Sequence, residues 1–168
     1  MLEAIGCLTD QDKVRNLIRQ GESKYIEFKE TLSLDVRKNT REKYITLSVL
    51  KTIVGFLNSA GGSLLIGVSD DGKLIGIDKE LNKFHKSIDK FLLHFKNMLK
   101  ERIGEEYYPY IDYKLVKEKG STVFLVDCKE SKSPCYLDKL EFYVRTNPAT
   151  EKLEGPKMVE YVKHRFNQ

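Results

Sequence analysis

Residues 56–72 read FLNSAGGSLLIGVSDDG, and the order of their parts decides between two very different folds. Leu47, Leu50, Val54 and Leu57 keep helical spacing, and Ile45, Val49, Ile53 and Phe56 widen that stripe. The stretch therefore opens at the end of a largely buried helix running from Tyr44 to Leu57. Asn39, followed three residues later by Glu42, is a capping-box-like start for this helix. Asn58 to Gly62 ends it with glycines suited to a left-handed cap and a tight turn. Ser63 to Val68 (SLLIGV) is then a short apolar strand expected near the centre of a sheet. Asp70 to Gly72 turns the chain into Lys73 to Ile77 (KLIGI), its predicted hairpin partner. Phosphate-cradling loops require GxxxxGK[ST], or GxGxxG between a strand and a helix. Here the glycines leave a helix and enter a strand, so both nucleotide-loop readings fail on spacing and on context.

Working outward, Asp10 to Arg19 places Val14, Leu17 and Ile18 at helical spacing and stops at Gly21. Tyr25 to Glu30 alternates, with Ile26 and Phe28 facing one way and Tyr25, Glu27 and Lys29 the other, as in a half-buried strand. Ser33 to Arg41 reads as a loop. Leu81, Phe84, Ile88, Phe91, Leu92, Phe95 and Leu99 predict one long amphipathic helix, its outer face carrying Lys83, Lys86, Lys90 and Lys100. Tyr110 to Lys117 and Ser121 to Lys129 form two strands around KEKG, and Leu140 to Thr146 a last one. Gly155 and Pro156 introduce a final helix through Met158, Val159, Val162 and Phe166. This order predicts an α+β fold, a mixed β-sheet with β-hairpins flanked by helices, rather than a doubly wound parallel sheet. A length of 168 residues suits a single domain over 1–168.

The 29 lysines and arginines exceed the 25 acidic residues by a net charge of +4, which permits a polyanionic partner without demanding one. Cys7, Cys128 and Cys135 have no CxxC spacing and are expected to be reduced packing residues. The N-terminus MLEAIGCLTD has neither the basic region nor the apolar core of a signal peptide. No apolar run reaches the roughly 18 residues of a membrane span, so a soluble, cytoplasmic protein is expected. His85 and His94 fall on the predicted long helix and His164 on the last one. None sits in a motif, so all three read as solvated helix residues, and no Cys or His pair has the spacing of a zinc site.

The carboxylates remain. Residues 21–30, GESKYIEFKE, carry Glu22 and Glu27, and the SDDG turn carries Asp70, with Asp71 as a close substitute. Two or three such groups suit Mg²⁺ or Mn²⁺, ions that activate water and stabilise a leaving oxygen in phosphodiester cleavage. Lys29, on the face of Glu27, would hold a phosphate as a point charge. Glu22 precedes Glu27 by five positions, an odd separation that puts the two on opposite faces of a regular strand. They meet only if Gly21 to Lys24 lies outside the strand and curls back. Asp70 reaches them only if SLLIGV pairs beside YIEFKE. The competing reading is a wet edge strand and an ordinary acidic turn.

IEFKE with its upstream glutamate, IVGFLNSAGGSLLIGVSDDGKLIGI, VFLVDCKESKSPCYL and FYVRTNPAT, in that order, resemble the AlbA_2 domain of Schlafen-type proteins from about Gly21 to Thr150. The resemblance implies a nucleic-acid-binding α+β domain and, as in animal Schlafens, a metal-dependent endoribonuclease acting on structured RNA such as transfer RNA, with RNA favoured over DNA. By position it implies Glu22, Glu27 and Asp70 as the metal-binding catalytic carboxylates with Lys29 beside them. It also suggests Arg145 of FYVRT as a phosphate contact, the alternative being a structural ion pair. Animal Schlafens join two related lobes into a clamp and carry zinc. This chain has one lobe's worth of residues and no recognisable zinc ligands, and a homodimer could rebuild the clamp. Microbial relatives described as DNA-binding or ATP-binding regulators supply the alternatives, a non-catalytic binding module or, with least support, an ATP-responsive one.

Overall fold

The computed structural model describes residues 8–166, and Cys7 lies outside them. The first helix, α1 (Asp10–Gln20), starts at a reciprocal cap. Thr9 Oγ1 accepts from the Asp12 N–H at 3.1 Å, and the Asp12 carboxylate accepts from the Thr9 N–H at 3.2 Å. It stops at Gly21, whose φ of 78° lies in the left-handed region that a β-carbon disfavours. Strand β1 (Ile26–Lys29) follows, then a small hairpin of β2 (Leu34–Asp35) and β3 (Thr40–Arg41), and then helix α2 (Lys43–Asn58). The chain returns through β4 (Gly62–Ile66), α3 (Asp78–Phe84), α4 (Ile88–Arg102) and a 3₁₀ turn at Glu105–Tyr110. It ends with β5 (Ile111–Glu118), β6 (Ser121–Cys128), the hairpin β7 (Phe142–Arg145) and β8 (Thr150–Leu153), and α5 (Gly155–Phe166).

The main sheet runs β1-β4-β6-β5. β1 and β4 are parallel, with Glu27 opposite Leu64 and Lys29 opposite Ile66, while β4/β6 and β6/β5 are antiparallel. A parallel neighbour needs a crossover, and α2 supplies it. The fold is α+β with a mixed sheet, and β4 is an inner strand as its composition predicts. The period-2 pattern divides the core in two. Ile26, Phe28, Leu65 and Leu125 face Val14, Leu17 and Ile18 of α1. Leu64, Ile66, Phe124 and Val126 face the opposite way, packing with α2 residues such as Ile53 and Phe56 and with Phe91, Phe95 and Leu99 of α4. Both faces of β4 are covered, which is why SLLIGV is apolar at successive positions rather than alternating.

Four local expectations are corrected. KLIGI is not a strand beside β4: Val68 and Leu74 make an isolated bridge, and the Ile75 and Gly76 N–H groups both donate to Gly67 O at 2.9 and 2.8 Å. Both edges of β4 are already occupied by β1 and β6, so no ladder is left to offer. The predicted long helix is broken at His85–Ser87, where Ser87 Oγ accepts from the Lys90 N–H at 3.1 Å and starts α4 anew. The break leaves His85 and His94 with ring centroids 5.3 Å apart, and His85 Nε2 is buried without a partner. These two are therefore not solvated helix residues, whereas His164 is exposed. Asn39 and Glu42 form no capping box: Asn39 has a φ of 57° and donates its N–H to Asp35 O at 2.7 Å, and Glu42 itself is the N-cap of α2. Finally, β8 went unforeseen because TEKL is polar and pairs only with β7.

Cys128 and Cys135 are buried, and burial pushes both thiols above their ordinary range, in keeping with packing roles. Among the described residues no helix is long and apolar enough to cross a membrane.

Candidate functional site

The geometric condition on Glu22 is met. After Gly21 the chain makes a tight turn in which the Ser23 N–H donates to Ile26 O at 2.9 Å and the Ile26 N–H returns to Ser23 O at 3.4 Å. Ser23 Oγ accepts from the Tyr25 N–H at 3.1 Å and stiffens the turn. Glu22 thus lies outside the strand, with its carboxyl in hydrogen-bond reach of Glu27. Its pKa is pushed from an ordinary 4.5 to about 8, first by burial, then by the hydrogen bond with Glu27 and the charges of Glu27 and Asp70, against the opposing charge of Lys29. Near neutral pH one proton therefore sits between two carboxylates.

Glu27, expected on an outward face, is 9% exposed. The β7–β8 hairpin and the C-terminal half of α2 lie over this edge of the sheet and deliver Arg145, whose side chain is 0% exposed. Its Nη1 donates to Glu27 Oε1 at 2.7 Å and to Thr150 Oγ1 at 3.0 Å. Nη2 donates to Ser23 O at 2.6 Å and Pro148 O at 3.2 Å, and Nε to Lys24 O at 3.3 Å. A guanidinium has five N–H donors, and all five are used. The guanidinium also sits 4.9 Å from the Phe56 ring centre. This corrects the expectation that Arg145 contacts phosphate: with no free donor and no exposed face, it is the buried counter-ion of Glu27 and the clamp on the Ser23–Lys24 turn.

Lys29 lies two residues along the same face. Its ammonium donates to Ser48 Oγ of α2 at 2.8 Å and approaches Glu27 Oε2 at 4.0 Å. Asp70 is on an exposed turn closed by the Gly72 N–H to Ser69 O bond of 2.9 Å. The register brings this turn to the site: β4 pairs beside β1, and the Gly67 and Val68 N–H groups both donate to Lys29 O. Asp70, not Asp71, is the residue whose charge reaches Glu22. The Asp71 carboxylate accepts from Ser69 Oγ, and that bond holds it below the usual carboxylate range. The three carboxylates share one side of the fold, yet among the described residues no three His, Cys, Asp or Glu side chains form a group that could hold a metal ion. Glu22 and Glu27 are in contact; Asp70 acts on Glu22 through its charge. The pair suits a hard divalent cation in ligand chemistry and in charge, since a cation would replace the proton that now relieves their repulsion.

Sequence reasoning missed the residues that hold the site. Asn58 Nδ2 donates to Cys135 O at 2.8 Å and Tyr143 O at 2.9 Å, while Ser59 Oγ accepts from the Arg145 N–H at 2.9 Å. The polar half of NSAGG therefore anchors β7, and with it Arg145. In the glycine half, a β-carbon on Gly62 would lie 2.7 Å from Tyr25 O and 2.3 Å from the Phe56 ring, so β4 starts against β1 only because nothing is there.

Fold and site together define a small α+β domain with a partly buried acidic pair at the edge of a mixed sheet. The family model for Schlafen, AlbA_2 matches residues 22–154, and the chain belongs to that family. The match begins at Glu22 and ends just beyond β8. Among solved structures, the chain resembles the DIP2311 protein of Corynebacterium diphtheriae at 16% identity and a TM-score of 0.59, over 84% of this chain but only 24% of that one. It also resembles the N-terminal domain of a RecG-related protein from Nitrosomonas europaea at 20% identity and a TM-score of 0.48, over 74% of each chain. The first likeness supports the fold. No curated protein matches the chain.

Proposed function

We propose that this domain binds nucleic acid and cleaves RNA with the help of Mg²⁺ or Mn²⁺, structured RNA such as transfer RNA being the substrate class. The observation that carries the reading is the Glu22–Glu27 pair, two carboxylates in contact at the edge of the sheet, where burial first and the neighbouring carboxylate second push Glu22 up to about 8. Membership of the Schlafen AlbA_2 family supports it. The reaction is phosphodiester hydrolysis, in which a water oxygen bonds to phosphorus while the ester oxygen leaves and takes up a proton. An ion held by Glu22 and Glu27 would supply water activation and charge neutralisation. Glu22 would surrender its proton when that ion binds. Arg145 fixes Glu27 Oε1 and leaves Oε2 toward the site. Lys29, steadied by Ser48, would turn a remaining N–H to a phosphate oxygen, and Asp70 would deepen the negative field at the mouth.

The test is cleavage of labelled transfer RNA with Mn²⁺, with and without chelator, alongside calorimetric titration of Mn²⁺. Cleavage should vanish on chelation and in Glu27→Gln and Glu22→Gln, and Mn²⁺ should bind more tightly at pH 8.5 than at pH 6.5 because it displaces a proton. Cleavage that persists in both variants and in chelator would reject the assignment. The absence of a closed three-ligand group among the described residues favours one second reading, a binding module in which the acidic pair is structural. RNA binding with no Mn²⁺ uptake at pH 8.5 would select it.

A further inference from the structure

Two cavities flank the first turn of α2 and share Tyr44 as the ridge between them. The one nearer the acidic pair, of about 400 Å³, is lined by Lys29 and Ser48 together with Leu34, Val36 and Ile45. Its charges balance, Lys29 and Arg37 against Glu30 and Asp35. The second, of about 650 Å³, is cationic: Arg41, Lys43 and Arg102 line it against Glu42 alone, while burial and the Arg41 charge keep His94 neutral. Arg102 is paired with Asp138, and Lys38 with Glu42. Arg41, stacked 4.5 Å from the Phe84 ring centre, and Lys43 have no ion pair among the described residues. Tyr44 is 56% exposed and lines both recesses, and its hydroxyl is tethered to the Asp35 carboxylate of the first.

We propose that this ridge and its two cavities form a track for the unpaired strand that flanks the site, an inference that rests on the nucleic-acid part of the reading above but not on catalysis. A charge-balanced recess of this size, with apolar Leu34, Val36 and Ile45 among polar groups, suits a nucleoside, and a recess with the unpaired cations Arg41 and Lys43 suits phosphates. An exposed aromatic shared by the two offers a stacking surface that only an unpaired base can use. Lys29 belongs to both places, lining the first cavity while facing Glu27, so the strand enters the site along it.

The test is fluorescence anisotropy of a labelled ten-nucleotide single-stranded RNA, in chelator so that nothing is cut, with melting curves to verify folding of each variant. R41A/K43A should bind at least about tenfold more weakly and flatten the slope of log affinity against log salt by about one to two. Tyr44→Leu should weaken binding about tenfold with an unchanged salt slope, since stacking and not charge is lost. Folded R41A/K43A with unchanged affinity and slope would overturn the track while leaving the metal site to its own titration. Equal affinity for a duplex, with the same losses in the variants, would overturn the single-strand assignment. Failure of the unmodified chain to bind any RNA would overturn the track and the nucleic-acid reading together.

Discussion

Glu22 keeps its proton because it is half-buried against another carboxylate, and that has a consequence for stability. Its folded pKa, about 8, stands above the ordinary 4.5 of the unfolded chain. The folded state therefore holds the proton more tightly, so stability from this group is fully present below pH 4.5 and is lost as pH rises through about 8. Glu22→Gln, which keeps the hydrogen bond and removes the charge, should leave the melting temperature unchanged at pH 4 and raise it by on the order of 2–4 °C at pH 8.5. Thermal melts at the two values check this; equal shifts at both would contradict the pairing with Glu27. The period-2 pattern of IEFK sorted Ile26 and Phe28 from Glu27 and Lys29 correctly. It could not say that Glu27 is buried, because its counter-ion, Arg145, lies 118 residues on. A charge on an alternating strand looks the same whether it meets water or a guanidinium from a distant hairpin.

At the scale of elements, the junction between α2 and β4 organises both the sheet and the site. Asn58 and Ser59 hold β7, and Gly62 lets β4 begin in backbone contact with β1. Gly62→Ala should destabilise the fold by about 1–3 kcal/mol through overpacking against Phe56 and Tyr25 O, read from denaturant unfolding. A neutral outcome would mean that α2 can shift at no cost. The helix ending at Asn58 and the inner strand after it were legible because each depends on local periodicity and glycine punctuation. The division of the helical stretch after Ile77 was not. The restart rests on the Ser87 cap, while Glu80, a buried carboxylate inside α3, accepts from the Leu32 and Ser33 N–H groups at 2.8 and 2.6 Å and fixes α3 to the loop after β1. The apolar spacing continues across the break because α3 and α4 both present residues to the same core.

For the molecule as a whole, two apolar layers meet on β4 and β6, while α5 contributes no fully buried residue. That helix is docked by polar bonds, such as Tyr161 Oη to Asn58 O at 2.6 Å and Arg165 Nη2 to Ser131 O at 2.8 Å. Amide exchange should therefore be slowest in β4 and β6 and fastest, among the helices, in α5. Uniform protection would argue against this gradient. The architecture was legible as α+β, since strands followed by flanking helices can be counted from sequence. The sheet order was not, because the pairing of β1 with β4 and the placement of β7–β8 depend on contacts between segments far apart in the chain.

The clamp of Arg145 on Glu27 and on the Ser23–Lys24 turn joins the two ends of the domain, and this bears on synthesis. A nascent chain exposes GESKYIEFKE early, but the guanidinium that gathers its carboxylates emerges only after β7 has been made. The acidic pair is therefore held by its full set of partners only once nearly the whole domain, Arg145 included, has been made.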